Sequence, residues 1–221
     1  MQQQEVLKTA TEEAGGSKGA EIAEKVVGGI LSVGVDGVGK LKGARVIAEE
    51  HRKHHKDVET AIDRLVATHA RVVGATGFAT GLGGLIVLPV TIPADVSVFY
   101  AYAGRCAAAI AHLRGYDLDS DEVRSVVLLS LLGSGGVALA ADAGAKLGQK
   151  AAFAALQKVP GKVLIDLNKK VGFRLITKAG TTGVVNLTKL VPFVGGGVGA
   201  TVNVVGMRSV GTYAKSNFPA L

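Results

Sequence analysis

The chain has no tryptophan, one cysteine and five prolines among 221 residues, and aromatic side chains make up only 5% of it. A single thiol, Cys106, rules out an internal disulfide and any zinc site built on cysteines. In its alanine-rich apolar stretch that thiol reads as buried and inert, which fits a reducing, cytosolic compartment. The N-terminus MQQQEVLKTATEEAGG has no basic segment leading into an apolar run, so a cleaved signal peptide is not expected. With so few aromatics, core volume has to come from Ala, Val, Leu and Ile. Hydrophobic residues at 48% and charged residues at 19% suffice for one domain and fall short of two large ones. Thirty-one glycines occur with neither a collagen period nor a low-complexity tract, so they are expected at packed positions.

The net charge of +7 is unevenly placed. Residues 1–71 hold eleven Lys and Arg against eleven Asp and Glu, and residues 72–145 carry a net −3. Residues 146–221 hold eleven Lys and Arg against one Asp, a net of +10. That asymmetry points to an anionic partner for the last third, either phospholipid, nucleic acid or an acidic protein.

Along the chain the pattern predicts helices. Residues 1–40 read as a polar, glycine-rich lead-in to a single domain over residues 41–221. A long helix is expected from about Leu41 to Val73, with Ile47, Val58, Ile62, Leu65 and Val72 on one stripe and His51, His54 and His69 on the same stripe. Three runs lack charge: Val72–Ala94, Ser125–Ala141 and Leu190–Met207. The first has the length to span a bilayer, yet Pro89 and Pro93 break its end. Within it Gly74, Gly77, Gly81 and Gly84 recur at three and four, making a smooth file against which another backbone can come close. Gly195, Gly196, Gly199 and Gly206 make a second file. A helix is expected to start at Pro93–Asp95 and stop at Gly115, and Asp119 or Ser120 to cap the next. From Lys162 to Ala179, Leu164, Leu167, Val171 and Leu175 line one face of a helix. Lys162, Lys170, Arg174 and Lys178 line the face beside it, with Lys169 nearby. No strand alternation and no strand–helix rhythm appears. The expected fold is all-α, a compact bundle of glycine/alanine-rich helices with one basic amphipathic helix.

Three segments together resemble the EcsC family of bacterial proteins: GFATGLGGLIVLPVTIPADV (77–96), HLRGYDLDSDEVRSVVLLSLLG (112–133) and NKKVGFRLITKAGTTGVVNLTKLVPFVGG (168–196). The resemblance spans roughly residues 60–218. It implies a bacterial, helical, membrane-associated protein and supplies no catalytic residue.

Several motifs invite chemistry. Gly34–Lys40 fits the pattern of a phosphate-cradling loop, but Leu41 stands where a Ser or Thr would hold magnesium, so a glycine-rich turn is the reading kept. His51, His54 and His55 lie at helical spacing, yet neighbouring Lys and Arg repel a cation, and a solvated surface patch is expected rather than a metal site. Ser97, Ser130, Ser134 and His112 sit in no nucleophile-elbow context. Asp95, Arg105 and Asp142 are lone charges in apolar helices. They read as internally paired, or as a buried polar spot where Arg105 meets a phosphate or carboxylate.

The sequence therefore points to a non-catalytic protein without cofactor or metal, cytoplasmic and peripheral at the inner face of the cell membrane. Lys162, Lys169, Lys170, Arg174 and Lys178 would form its anionic-surface site. Anionic lipid or a membrane protein is the expected partner, and a homo-oligomer is compatible. Nucleic acid is disfavoured because stacking aromatics are absent, with only Phe173 close by. The competing expectation is a soluble helical module that encloses a small apolar ligand or binds a partner's helix.

Overall fold

The computed structural model of the chain describes residues 17–82, 94–142, 152–186 and 192–221. Among them the helices are α1 (Ser17–Ile30), α2 (Ala44–His54), α3 (Val58–Leu82), α4 (Ala94–Leu113), α5 (Asp121–Leu131), α6 (Ser134–Asp142), α7 (Ala152–Leu156), α8 (Gly161–Asn186) and α9 (Pro192–Asn217). A π-helical turn, Leu31–Asp36, continues α1. It leads into an antiparallel hairpin, β1 (Gly37–Val38) against β2 (Leu41–Lys42). The fold is all-α apart from this hairpin.

The core forms around α4 and α5. Every residue of α5 from Ser125 to Leu131 is buried, which accounts for the first half of the second uncharged run: a helix stretch apolar all round belongs inside a protein. Ser120 caps it by accepting the Val123 N–H at 3.4 Å, and Asp121 and Glu122 occupy the positive end of its dipole. Ahead of it, α4 buries Ala103 and an unbroken set from Cys106 to Ala111. Burial pushes the Cys106 thiol up to about 12. The chain leaves α4 through Gly115, whose φ of +87° is left-handed, while Tyr116 N–H donates to Ala111 O.

Two glycine-mediated pairs complete the bundle. The longest contact is between α3 and α9. Asp63 meets Lys215, Val66 abuts Gly211, Val73 accepts from Asn203, and Gly77 meets Gly199, so the two helices run antiparallel. The glycine files of the uncharged runs thus face each other at Gly77 and Gly199, while Gly81 and Gly84 lie outside the described side chains. The second pair is α1 with α8, where a Cβ on Gly172 would stand 2.6 Å from Ala23 O. Leu164, Leu167, Val171 and Leu175 of α8 are all buried, as their spacing predicts. Among the described residues no helix is long and apolar enough to cross a membrane.

Some expectations change. The single helix over Leu41–Val73 is instead a hairpin strand and two helices. His55 is extended (φ −135°, ψ 116°), and the Asp57 carboxylate accepts the Thr60 N–H at 2.7 Å, starting α3 afresh. The histidines therefore do not share a stripe: His51 is half-buried, His54 exposed and His69 buried. The lead-in contributes Ala23, Val27, Ile30 and Val35 to the core. Residues 1–16 lie outside the described part. Finally, α8 runs through Gly180 to Asn186.

Candidate functional site

Two features stand out once the packing is known. The first is the outer side of α8. Because its leucine stripe is fixed in the core, Lys162, Lys170 and Arg174 are held exposed, Lys169 is half-buried, and Ile165 is 57% exposed among them. Asp166 is the one acid on this stretch and is exposed. The Lys178 side chain lies outside the described part. Elsewhere Lys25 pairs with Glu21, Lys42 with Glu50, Arg45 with Asp119, Arg114 with Glu59, Arg124 with Asp36, and Lys215 with Asp63 and Glu59, while cations such as Arg64, Arg71, Lys158 and Arg208 have no ion pair among the described residues, so what sets α8 apart is the grouping of its cations on one helix. Among the described residues no ion pair reaches Lys162, Lys169, Lys170 or Arg174. Arg174 donates instead to the Gly135 carbonyl at 3.2 Å.

The second feature is a cavity of about 490 Å³ between α1, the π-helical turn, α4 and α8. Its wall is apolar: Ile22, Val26 and Ile30 from α1, Val98 from α4, Leu175 and Ile176 from α8. Tyr100, Tyr102 and Arg105 complete the α4 side. Burial pushes the Tyr100 hydroxyl up to about 12, so it stays protonated.

Arg105 is only 9% exposed. Its Nε donates to His69 Nε2 at 3.2 Å, its Nη1 donates to Lys42 O at 3.2 Å, and its guanidinium lies 4.2 Å above the Tyr102 ring. His69 in turn donates from Nδ1 to Leu65 O at 2.9 Å, so its proton sits on Nδ1 and Nε2 is free to accept. Burial foremost, then the nearby Arg105 and His51 charges, outweigh that bond and bring the imidazole down to about 4. Of the expected polar spot, Arg105 is the member whose side chain is described. Asp95 stands near the start of α4, roughly 15 Å of helix rise away. Asp142 ends α6, and the side chains of both acids lie outside the described part.

The remaining motifs take structural places. Gly34–Lys40 forms the π-helical turn and hairpin, with Gly37 and Gly39 at positive φ, rather than a strand–loop–helix. His51 donates from Nδ1 to Ile47 O, and His112 faces Glu49 at 3.0 Å. Ser130 donates to Val126 O and accepts from Asn217. Among the described residues no group of three or more His, Cys, Asp or Glu is arranged to hold a metal ion.

One polar centre is not visible in sequence patterns. The Arg114 side chain, 8% exposed, donates to Glu59 from Nε and Nη2, and to the carbonyls of Lys215 and Phe218 from Nη1. Tyr116 adds a bond to Pro219 O at 3.0 Å, and Phe218 is fully buried beside it. Together these tie the C-terminus to α3 and α4.

The molecule is thus an all-α bundle, packed through glycines, with an unpaired basic face and an apolar cavity. The chain belongs to the EcsC protein family, whose model matches residues 40–219. Comparison with curated proteins and with solved structures matches nothing.

Proposed function

We propose that this EcsC-family protein is a non-catalytic, cytoplasmic protein that associates peripherally with an anionic membrane surface, or with a membrane complex, through α8. The observation that carries this reading is the set of cations Lys162, Lys169, Lys170 and Arg174, unpaired among the described residues in a third of the chain with net +10. A helix whose leucines are spent on the core cannot turn them to lipid, so contact rests on charge, helped by the exposed Ile165. Each cation near an anionic surface contributes on the order of 1 kcal/mol.

Flotation of the full chain with vesicles tests it. Phosphatidylglycerol vesicles should carry the protein and phosphatidylcholine vesicles should not. Replacing Lys169, Lys170 and Arg174 with Glu should abolish the difference. Equal flotation with both vesicle types, unchanged by the replacement, removes the reading.

A further inference from the structure

The cavity wall contains one group that its apolar surroundings do not explain. Two cations border it, Lys25 and Arg105. Lys25 is exposed and satisfied by Glu21 at 2.7 Å. Arg105 is buried, and among the described residues none of its contacts carries a negative charge: they are a neutral imidazole, a backbone carbonyl and an aromatic face. Cations withdrawn from water are normally paired with acids. Here the three contacts fix the guanidinium in orientation, and among the described residues no acid compensates its charge and no partner meets Nη2. A positioned, under-neutralised guanidinium is the donor set that recognises a carboxylate or phosphate.

The rest of the cavity specifies what is attached to that anion. Aliphatic side chains of α1, α4 and α8 line it on the protein side, and about 490 Å³ lies within the range of roughly 300–1,000 Å³ usual for small-molecule sites. The wall opens beside Ile22, half-exposed, and Val98, also partly exposed, so an apolar chain has a route to solvent. Val33 reaches the wall from the π-helical turn, a distortion often found at functional sites.

We infer that this cavity binds a single-chain amphiphile with an anionic head, the apolar tail lying between α1, α4 and α8 and the carboxylate or phosphate on Arg105. The site is separate from the outer face of α8. It holds one molecule in a half-open cleft, whereas that face meets a surface.

Calorimetric titration of the full chain with monomeric dodecanoate, dodecyl phosphate and dodecanol tests this. Either anion should bind at least about tenfold more tightly than dodecanol, the size of one charge-assisted hydrogen bond. Whichever anion binds more tightly separates a fatty acid from a phosphate-headed lipid. Arg105→Gln should erase the preference for the anion and leave dodecanol binding. Gly29→Leu supplies a variant that does not touch the polar cluster. Gly29 is exposed at the cavity's edge and a Cβ there meets nothing within 4 Å, so a leucine adds apolar bulk at the mouth without a clash and should weaken all three ligands. The Lys169, Lys170 and Arg174 triple Glu variant should bind dodecanoate as the parent does, which keeps the outcome separate from that of the membrane reading. No binding of either anion, equal binding of dodecanol, indifference to Gly29→Leu, or loss of dodecanoate in the triple variant would each overturn the assignment.

Discussion

Gly77 of α3 and Gly199 of α9 approach so closely that a Cβ placed on Gly77 would stand 2.6 Å from the Gly199 carbonyl oxygen. The obstacle is backbone, which cannot rotate away as a side chain would. Ordinarily Gly→Ala inside a helix gains up to about 1 kcal/mol through propensity. At Gly77 the expected sign is reversed: Gly77→Ala should destabilise the protein by about 1–3 kcal/mol by forcing the helices apart. Gly197, two residues from Gly199 on the same helix, has nothing within 4 Å of a Cβ, and Gly197→Ala should stabilise by about 0.5–1 kcal/mol. Urea denaturation of the two variants reads both signs. A stabilised Gly77→Ala would mean that α3 and α9 do not meet at their glycines.

Arg114 gives a second prediction. Its head joins the start of α3 to the end of α9, and removing it leaves the Lys215 and Phe218 carbonyls without that donor. Arg114→Ala should cost about 3 kcal/mol, lowering Tm by roughly 10 °C in a chain of this size. Tyr116→Phe removes only the bond to Pro219 O and should cost about 1 kcal/mol. Thermal melts that leave Arg114→Ala within a degree of the parent would show that the C-terminus is held some other way.

Much of the bundle is legible in the sequence because the relevant forces act within one or two turns. The α8 stripe follows from 3.6-residue spacing, the end of α4 from Gly115, and the start of α5 from Ser120 and its acidic neighbours. The break between α2 and α3 is also local, but Asp57 is easily passed over because apolar spacing continues across it on both sides. The polar centres are another matter. Arg105 meets His69 36 positions away and Lys42 63 positions away. Arg114 meets Glu59 55 positions away and Phe218 104 positions away. No periodicity encodes such pairings. Sequence marks Arg105 as anomalous, a charge in an alanine-rich helix, without indicating that its partners are neutral. The glycine files likewise announce close approach but not which file meets which.

His69 makes stability depend on pH in a defined direction. Its ordinary value is 6.5 and the folded protein brings it to about 4, so between these values the unfolded chain binds the proton and the native one does not. Stability should therefore be fully present above pH 6.5, fall as pH drops towards 4, and level off for this group below that. At about 1.36 kcal/mol per pKa unit, the loss is on the order of 3 kcal/mol. Burial is the main cause, with Arg105 and His51 the charges acting on the ring. His69→Gln retains an acceptor for Arg105 and cannot titrate in this range. The difference in unfolding free energy between parent and variant, measured at pH 7 and pH 4, should shrink or change sign by that amount. Parallel curves would show that His69 is accessible enough to protonate normally in the native state.

The basic face of α8 should reveal itself through salt and through which charges matter. Neutralising Lys169, Lys170 and Arg174 to Gln removes three cations, and at about 1 kcal/mol each partitioning onto phosphatidylglycerol vesicles should weaken by two orders of magnitude or so. Arg45 is the comparison: it is half-buried and its guanidinium is held by Asp119 at 2.8 Å, so Arg45→Gln should leave partitioning nearly unchanged. Raising ionic strength from 0.1 M to 1 M shortens the screening length from about 10 Å to about 3 Å and should release the parent protein from the vesicles. If Arg45→Gln weakened binding as much as the α8 changes do, the interaction would depend on overall charge rather than on this face. Retention at 1 M salt would place the apolar residues, Ile165 first among them, in charge of the contact instead.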